Sequence, residues 1–364
     1  MVAVLVPVLT RNGRDVVSRP PAPASRPERC RRPAGIWRAP PLLAMLIGML
    51  ALSACATRLV PPGPAVMAPE MGGHVFVMPD GARLPYRAWL PAAPPKAVML
   101  ALHGFNDSRD AFVLSAPLFA AAGIAVYAPD QRGFGATAAR GFWPGLTALV
   151  SDARTMAVLL HRMHPGLPLY LLGESMGGAV LIRLATSPDP PPASGYILAA
   201  PAVWGRADMN LFYRILLWFA WKTVPGLRLS GAGLVKASSN RAALEVLGRN
   251  PLTILETRVD VIHGLVNLMS RALVAARRFN GPALVLYGAH DELVPKRAMA
   301  AMWRAVPKGA PVRFAYYAHG YHLLLRDLDR GLPIGDIIAW IRSPGAPLPS
   351  GADAAAHAWL AGHR

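Results

Sequence analysis

The chain has 364 residues, 53% of them hydrophobic, only 16% charged, and a net charge of +18. A chain this apolar can bury one large core, or a core and a subdomain, which excludes disorder over its whole length. The positive charge lies in eight arginines before Cys55, set against Asp15 and Glu28, and in scattered single residues after it; no basic run interleaved with aromatics follows, so a solvated basic surface is expected rather than a nucleic-acid site, and attraction to an anionic membrane stays open.

The first 54 residues are kept out of the fold. An Arg- and Pro-rich stretch leads into Pro41–Ala51, an apolar run of about 11 residues. That is too short to span a bilayer and suits a signal-peptide core. Leu52-Ser53-Ala54-Cys55 follows and resembles the bacterial lipobox. The expectation is a lipoprotein signal peptide over 1–54 with Cys55 as the lipidated N-terminus; an ordinary signal peptide or an uncleaved anchor is the alternative. The long leader suggests that residues 1 to about 28 precede the true start. Neither Ala56 nor Thr57 is the Asp associated with inner-membrane retention. The location expected is therefore the bacterial envelope, on the periplasmic side and at the outer membrane. Cys30 and Cys55 are the only cysteines, so a mature chain would have no disulfide, no cysteine nucleophile and no thiolate metal site. Residues 55–72 read as a Pro-rich tether.

From residue 73 strands and helices alternate. Segments 73–78 and 84–90 flank Pro79-Asp80-Gly81 as an opening antiparallel pair. Apolar runs at 97–102 and 123–128 read as buried strands. Leu146, Leu149, Ala153, Met156, Leu160 and Met163 recur at helical spacing and mark one face of a helix. Further strands are predicted at 168–172, 195–200, 282–287 and 312–317, with a helix opened by Ser175. Continuous apolar strands between helices indicate a mostly parallel, eight-stranded sheet covered on both faces. Residues 73–202 and 281–345 then form an α/β core, and 346–364 a C-terminal tail. The stretch 203–280 shows no strand pattern and is too long for a loop, so it reads as a helical cap. Its aromatic run, Phe212 to Trp221, reads equally as an acyl pocket or membrane-facing lid and as plain packing against the sheet.

Gly173-Glu174-Ser175-Met176-Gly177 fits G-x-S-x-G between a predicted strand and a predicted helix, the setting of a nucleophile elbow. On such a turn only small residues fit two positions either side of the serine. A serine hydroxyl needs a base, and the base an orienting carboxylate, in the order Ser, Asp, His. Asp291, after strand 282–287, is the candidate carboxylate, with Glu292 as a weaker alternative and a helix cap as the structural one. His322, after the last strand, is the candidate base, with His319 read as a nearby loop residue. The oxyanion donors expected are the backbone N–H groups of Met176 and Phe105. His103 reads as structural.

With these pieces assembled, the chain resembles an α/β-hydrolase of the monoacylglycerol lipase and lysophospholipase group, the serine aminopeptidase S33-like hydrolases. The matching residues are His103-Gly104-Phe105, Asp130-Gln131-Arg132-Gly133-Phe134-Gly135, Gly173 to Gly178, Gly288-Ala289-His290-Asp291, Gly320-Tyr321-His322 and, in the cap, Asn250-Pro251-Leu252. Many members carry His before the nucleophile where this chain has Glu174, a variant also found in the group. The resemblance covers 73 to about 343 and implies hydrolysis of a single-chain acyl ester by Ser175, His322 and Asp291, without metal or cofactor. The partners expected are a lipid-like ester and, through the anchor, a membrane; the oligomeric state is not legible. Short-chain esters and peptide amides are alternative substrates. Dehalogenase and epoxide hydrolase chemistry would need Asp at position 175. A non-catalytic lipid-binding lipoprotein is the reading from another class.

Overall fold

In the computed structural model, which describes residues 57–231 and 235–362, the apolar runs become the strands of one sheet. Cys30, Cys55 and the leader lie outside the described residues. The chain lays down β1 (Glu70–Gly72), β2 (Val75–Val77), β3 (Arg83–Trp89), β4 (Ala97–Leu102), α1 (Ala116–Ala121), β5 (Ile124–Pro129), α2 (Leu146–Met163), β6 (Leu169–Glu174), α3 (Met176–Ala185) and β7 (Gly195–Ala199). An insert carries α4 (Leu211–Thr223), β8 (Arg228–Ser230), α5 (Arg241–Arg249) and β9 (Glu256–Arg258). Then come α6 (Val259–Ala275), β10 (Ala283–Gly288), α7 (Lys296–Ala305), β11 (Val312–Tyr317), α8 (Gly331–Arg342) and α9 (Ala352–Gly362).

The sheet order is β1-β2-β3-β5-β4-β6-β7-β10-β11, antiparallel from β1 to β5 and parallel from β5 onward. Every residue of β4, β5, β6, β7 and β10 is buried. This is why those strands read as unbroken apolar runs. One face packs under α2, α3 and α6 through residues such as Leu149, Val180 and Leu265. The other packs under α1 and α8 through Phe119, Ile337 and Trp340. On α2 the inner positions of the predicted face, Leu149, Ala153, Met156 and Leu160, are buried, while Met163 at its end is exposed.

Four details differ from the sequence reading. The sheet has nine strands rather than eight, because Glu70–Gly72 pairs with β2 (Met71 opposite Phe76). The predicted tether is laid onto the domain. Arg58 N–H donates to Asp260 Oδ2 at 3.1 Å, Val60 N–H to the Trp143 carbonyl at 3.1 Å, and Val66 N–H to the Pro79 carbonyl at 2.8 Å. Thr57, Leu59, Trp143, Trp221 and His263 line one cavity there. The segment assigned to the cap contains a two-stranded ribbon, β8 with β9, and its last helix, α6, sits in the main core. The C-terminal tail is the helix α9, whose Trp359 packs on Tyr316 and Trp303.

Asp130 and Arg132 have structural partners. Arg132 is bidentate to Asp152, with Nε to Oδ2 at 2.7 Å, and also bonds Asp80, with Nη1 to Oδ2 at 2.7 Å. Asp130, fully buried, accepts from the backbone N–H of Arg109 and of Ala136, each at 2.7 Å, and pairs with the Arg109 guanidinium.

Trp359 covers the outer strand β11, so α9 is part of the folded unit. Trp359→Ala is expected to lower unfolding free energy by about 3–5 kcal/mol, read from the urea midpoint at unchanged slope. A loss below about 1 kcal/mol would show that α9 is only loosely attached.

Candidate active site

Ser175 stands between β6 and α3 with φ 52° and ψ −111°. A positive φ at a non-glycine residue costs about 1–3 kcal/mol and persists only where neighbours enforce it. Here they do. Ser175 N–H donates to the Ala199 carbonyl at 2.9 Å, and its own carbonyl accepts from Ala179 N–H at 3.1 Å and Ala202 N–H at 2.9 Å. A Cβ at Gly177 would lie 2.2 Å from the Leu102 carbonyl oxygen, and one at Gly173 would lie 2.5 Å from the Gly177 carbonyl carbon. The two glycines let helix and strand close on each other, and the turn lifts the serine out. The Ser175 hydroxyl makes no capping bond to α3. Ser175 is half-buried where its flanking residues are fully buried.

The sheet topology brings the other loops to this point. The chain begins its parallel run at β4, adds β5 on one side, then returns to add β6 on the other. Such reversals leave a crevice at the carboxyl ends of the strands, where ligands bind in open α/β sheets. The loops leaving β4 and β6 are those of Gly104-Phe105 and Ser175. Asn106, next after Phe105, has φ 63°. The insert holds this loop: Ile254 N–H donates to the Asn106 carbonyl at 2.9 Å, and Asn106 Nδ2 to Thr257 Oγ1 at 2.6 Å.

Asp291 and His322 follow β10 and β11. Their loops are stitched together, with His290 N–H donating to the Gly320 carbonyl at 2.9 Å. His322 Nδ1 lies 2.8 Å from Asp291 Oδ2, and Asp291 Oδ1 accepts from Leu293 N–H at 2.8 Å and Val294 N–H at 2.9 Å. His322 is 2% exposed. Burial alone would lower its pKa, but the Asp291 charge, its hydrogen bond and the Glu174 charge outweigh that, and the pKa lies above the ordinary histidine value. A proton on Nδ1 held by Asp291 leaves Nε2 as the acceptor in the neutral ring.

The alternatives separate cleanly. Glu292 Oε2 accepts from Lys236 N–H at 2.8 Å, on the insert. His319 is exposed and lines another cavity with Tyr316 and Ser350. His103 is fully buried. It accepts on Nε2 from Gln131 N–H at 3.0 Å, and its Nδ1 lies 2.7 Å from the Gly104 carbonyl. Burial holds its pKa below the ordinary value.

Ser175, His322, Gly104 and Phe105 share the wall of one cavity of about 300 Å³. The rest of that wall is mainly apolar and includes Leu229, Ile254, Ile262, Leu265, Met269 and Leu293. Helix α4 supplies none of the lining residues. Leu217 is its one buried residue among those described, while Leu211, Phe212, Ile215, Trp218 and Phe219 are 56–65% exposed. The aromatic run is therefore outside this cavity wall; it meets the core through Leu217, Ala220 and Trp221 and turns most of its other large side chains outward.

Sequence reasoning missed a charged group under the site. Arg326 Nη2 donates to Glu174 Oε1 at 2.9 Å and also to Asp107 Oδ2. Glu174 lies inside a recognised motif, and Asp107 two residues beyond another. Arg326 carries no motif signal and is 219 and 152 residues away from its two partners.

Comparison with known proteins follows the same lines. Residues 93–329 match the family described as serine aminopeptidase, S33. A monoacylglycerol lipase of Mycolicibacterium smegmatis is 27% identical over 282 residues, 74% of this chain and 96% of that one. The human monoglyceride lipase is 28% identical over 263 residues, 70% of this chain and 84% of its own length. Among solved structures, a monoacylglycerol lipase from Paleococcus ferrophilus superposes with TM-score 0.61 at 22% identity, over 71% of this chain and 98% of that one. A soluble variant of the Saccharomyces cerevisiae monoglyceride lipase superposes with TM-score 0.62 at 19% identity, over 78% and 97%. These structural likenesses establish the α/β-hydrolase fold.

The opposing influences on His322 can be separated by NMR titration of its ring. The Asp291 charge favours the imidazolium, so the wild-type ring is expected to titrate above the ordinary histidine pKa of about 6.5. In Asp291→Asn only the Glu174 charge still opposes burial, and the value is expected to fall. A titration unchanged by Asp291→Asn would show that this carboxylate does not set the histidine's charge.

Proposed function

The chain belongs to the serine aminopeptidase S33 family and is a carboxylic ester hydrolase; from that premise we propose that it cleaves single-chain acyl esters, monoacylglycerol or lysophospholipid, through Ser175, His322 and Asp291. The observation that carries this reading is the cavity. An apolar chamber, walled by aliphatic residues of the insert and α6, has the serine of a strained turn and a carboxylate-paired histidine in its wall. An acyl chain suits such walls, at about 0.8 kcal/mol per buried CH₂.

In the reaction His322 Nε2 takes the proton of Ser175 Oγ as the oxygen attacks the ester carbonyl, while Asp291 stabilises the imidazolium. The N–H groups of Phe105 and Met176 receive the oxyanion, the second aided by the α3 N-terminus. His322 returns its proton to the leaving alcohol, glycerol or a glycerophospho-alcohol, and the acyl group remains on Ser175. Water, deprotonated by His322, then releases the fatty acid.

The exposed apolar face of α4 is the surface we assign to lipid contact, since contiguous patches of this kind mark interaction sites. Lipid attachment at Cys55 would hold the enzyme to the bacterial envelope.

A panel of p-nitrophenyl esters, monoacylglycerol and lysophosphatidylcholine tests the reaction. Fatty acid release from the lipid substrates is expected, with Ser175→Ala slower by about 10⁴-fold or more. The base works only when neutral, so the rate is expected to rise with pH through the elevated His322 pKa. Activity on short esters alone would move the substrate class, and no activity on any substrate would favour the amidase or non-catalytic readings.

A labelling and flotation experiment tests the surface. Radioactive palmitate is expected in the wild type and not in Cys55→Ala. In that unlipidated background Trp218→Ser with Phe219→Ser is expected to reduce flotation with vesicles several-fold and leave short-ester turnover intact. Label persisting in Cys55→Ala would overturn the anchor, and unaltered flotation would overturn the α4 assignment.

A further inference from the structure

Beneath the Ser175 turn lie two carboxylates and a guanidinium that the reaction above does not use. Asp107 is 6% exposed, Glu174 0% and Arg326 5%. They belong to three separate segments. Asp107 closes the turn that carries Phe105, with its N–H donating to the Gly104 carbonyl at 3.4 Å and its Oδ1 accepting from Ser108 N–H at 2.8 Å. Glu174 immediately precedes Ser175. Arg326 follows His322 by four residues, and its N–H donates to the Leu323 carbonyl at 2.9 Å. The guanidinium bonds both carboxylates.

Stability does not account for this group. Burying charges is costly even when they are paired, and well-packed apolar side chains in their place are often neutral or stabilising. The satisfaction is also incomplete: Glu174 Oε2 and Arg326 Nε have no hydrogen-bond partner. What an apolar cluster could not do is tie the oxyanion loop, the residue before the nucleophile and the segment behind the base to one shared donor, Arg326 Nη2.

We propose that Arg326 is a positioning residue for ester hydrolysis: it locks the Phe105 loop against the Ser175 turn through Asp107 and Glu174, and sets a cation against Glu174, next to His322. This rests on the esterase reading. Donors that await a developing oxyanion must be placed to within about 0.5 Å, and the nitrogen shared by Asp107 and Glu174 fixes the relative position of the two strand ends that carry them. The second role is electrostatic. Burial, with Asp107 adding to it, holds the Glu174 carboxyl above its ordinary value, and Arg326 and His322 pull against that. The charges acting on His322 are Asp291 and Glu174, both raising its proton affinity. Those acting on Glu174 are Arg326, Asp107 and His322. His103, on the strand end before Phe105, feels Asp107, Asp130 and Arg326 but is held neutral by burial.

The test compares the wild type with Arg326→Met, Arg326→Lys, Glu174→Gln and the Arg326→Met/Glu174→Gln double variant. Each rate is divided by the serines titrated with a reactive phosphonate, so that misfolded enzyme is not counted. Arg326→Met is expected to lower kcat per active serine about 10- to 100-fold, with KM within about two-fold. Arg326→Lys, which keeps the charge but replaces the planar guanidinium with an ammonium on a flexible stem, is expected to fall between. Glu174→Gln and Arg326→Met are both expected to move the acid limb of the pH–rate profile to lower pH, and the double variant no further than Arg326→Met. An Arg326→Met enzyme with wild-type kcat per active serine and an unmoved acid limb overturns the inference. If Arg326→Met does not fold, an unmoved limb in Glu174→Gln together with wild-type kcat in Arg326→Lys overturns it equally. An active wild type that Ser175→Ala abolishes keeps the esterase reading whatever Arg326 does; an inactive wild type overturns both.

Discussion

The carbonyl oxygen of Leu102 occupies the space that a side chain at position 177 would need. The arrangement of the site grows from that approach of one backbone to another. Helix α3 can lie directly on the end of β4 only because Gly177 has no Cβ, and the chain can enter α3 from β6 only by the sharp turn at Ser175. The turn raises the serine and brings the first N–H groups of α3 beside the loop leaving β4. Because β4 and β6 are neighbours where the winding of the sheet reverses, that loop is the one carrying Phe105. Asp291 and His322 arrive from the same edge of the sheet, two and three strands further along.

Two buried histidines show how partners, rather than burial, set chemistry. His103 and His322 are both almost completely shielded from water. His103 accepts a backbone N–H and has no carboxylate on its ring, so burial lowers its pKa and it serves the fold as a neutral link between β4 and the Gln131 turn. His322 has Asp291 on Nδ1 and Glu174 nearby, and its pKa moves the other way. In a low-dielectric setting one hydrogen-bonded carboxylate decides between an inert ring and one that can take up a proton.

Much of this was legible in the sequence where the physics is local. The strands under two layers of helix are continuous apolar runs, and the loops of Ser175, Asp291 and His322 follow such runs directly. What was not legible depends on contacts distant in the chain. Glu70–Gly72 is too short to show a period and is a strand only because β2 lies beside it. Helix α6 has the same apolar character as a cap helix would, and only the packed structure places it in the core. Helix α4 is apolar over much of its surface; periodicity cannot tell whether such a helix is buried, and this one faces outward. Arg326 is one arginine among many until the fold sets it between Asp107 and Glu174.

The laid-down segment after residue 57 changes what an acyl chain on Cys55 would do. Two residues, Ala56 and Thr57, lie between Cys55 and Arg58, whose backbone is bonded to Asp260, and three residue steps of extended chain reach only about 10 Å. Such a leash would be short, and a protein anchored by it could not roam the space beneath a membrane as a body on a long cord would. Thr57 and Leu59 share a cavity wall with Trp221 of α4. Tethered there, the molecule would be berthed with one side facing the lipid, and substrate would come to it by lateral diffusion in the leaflet.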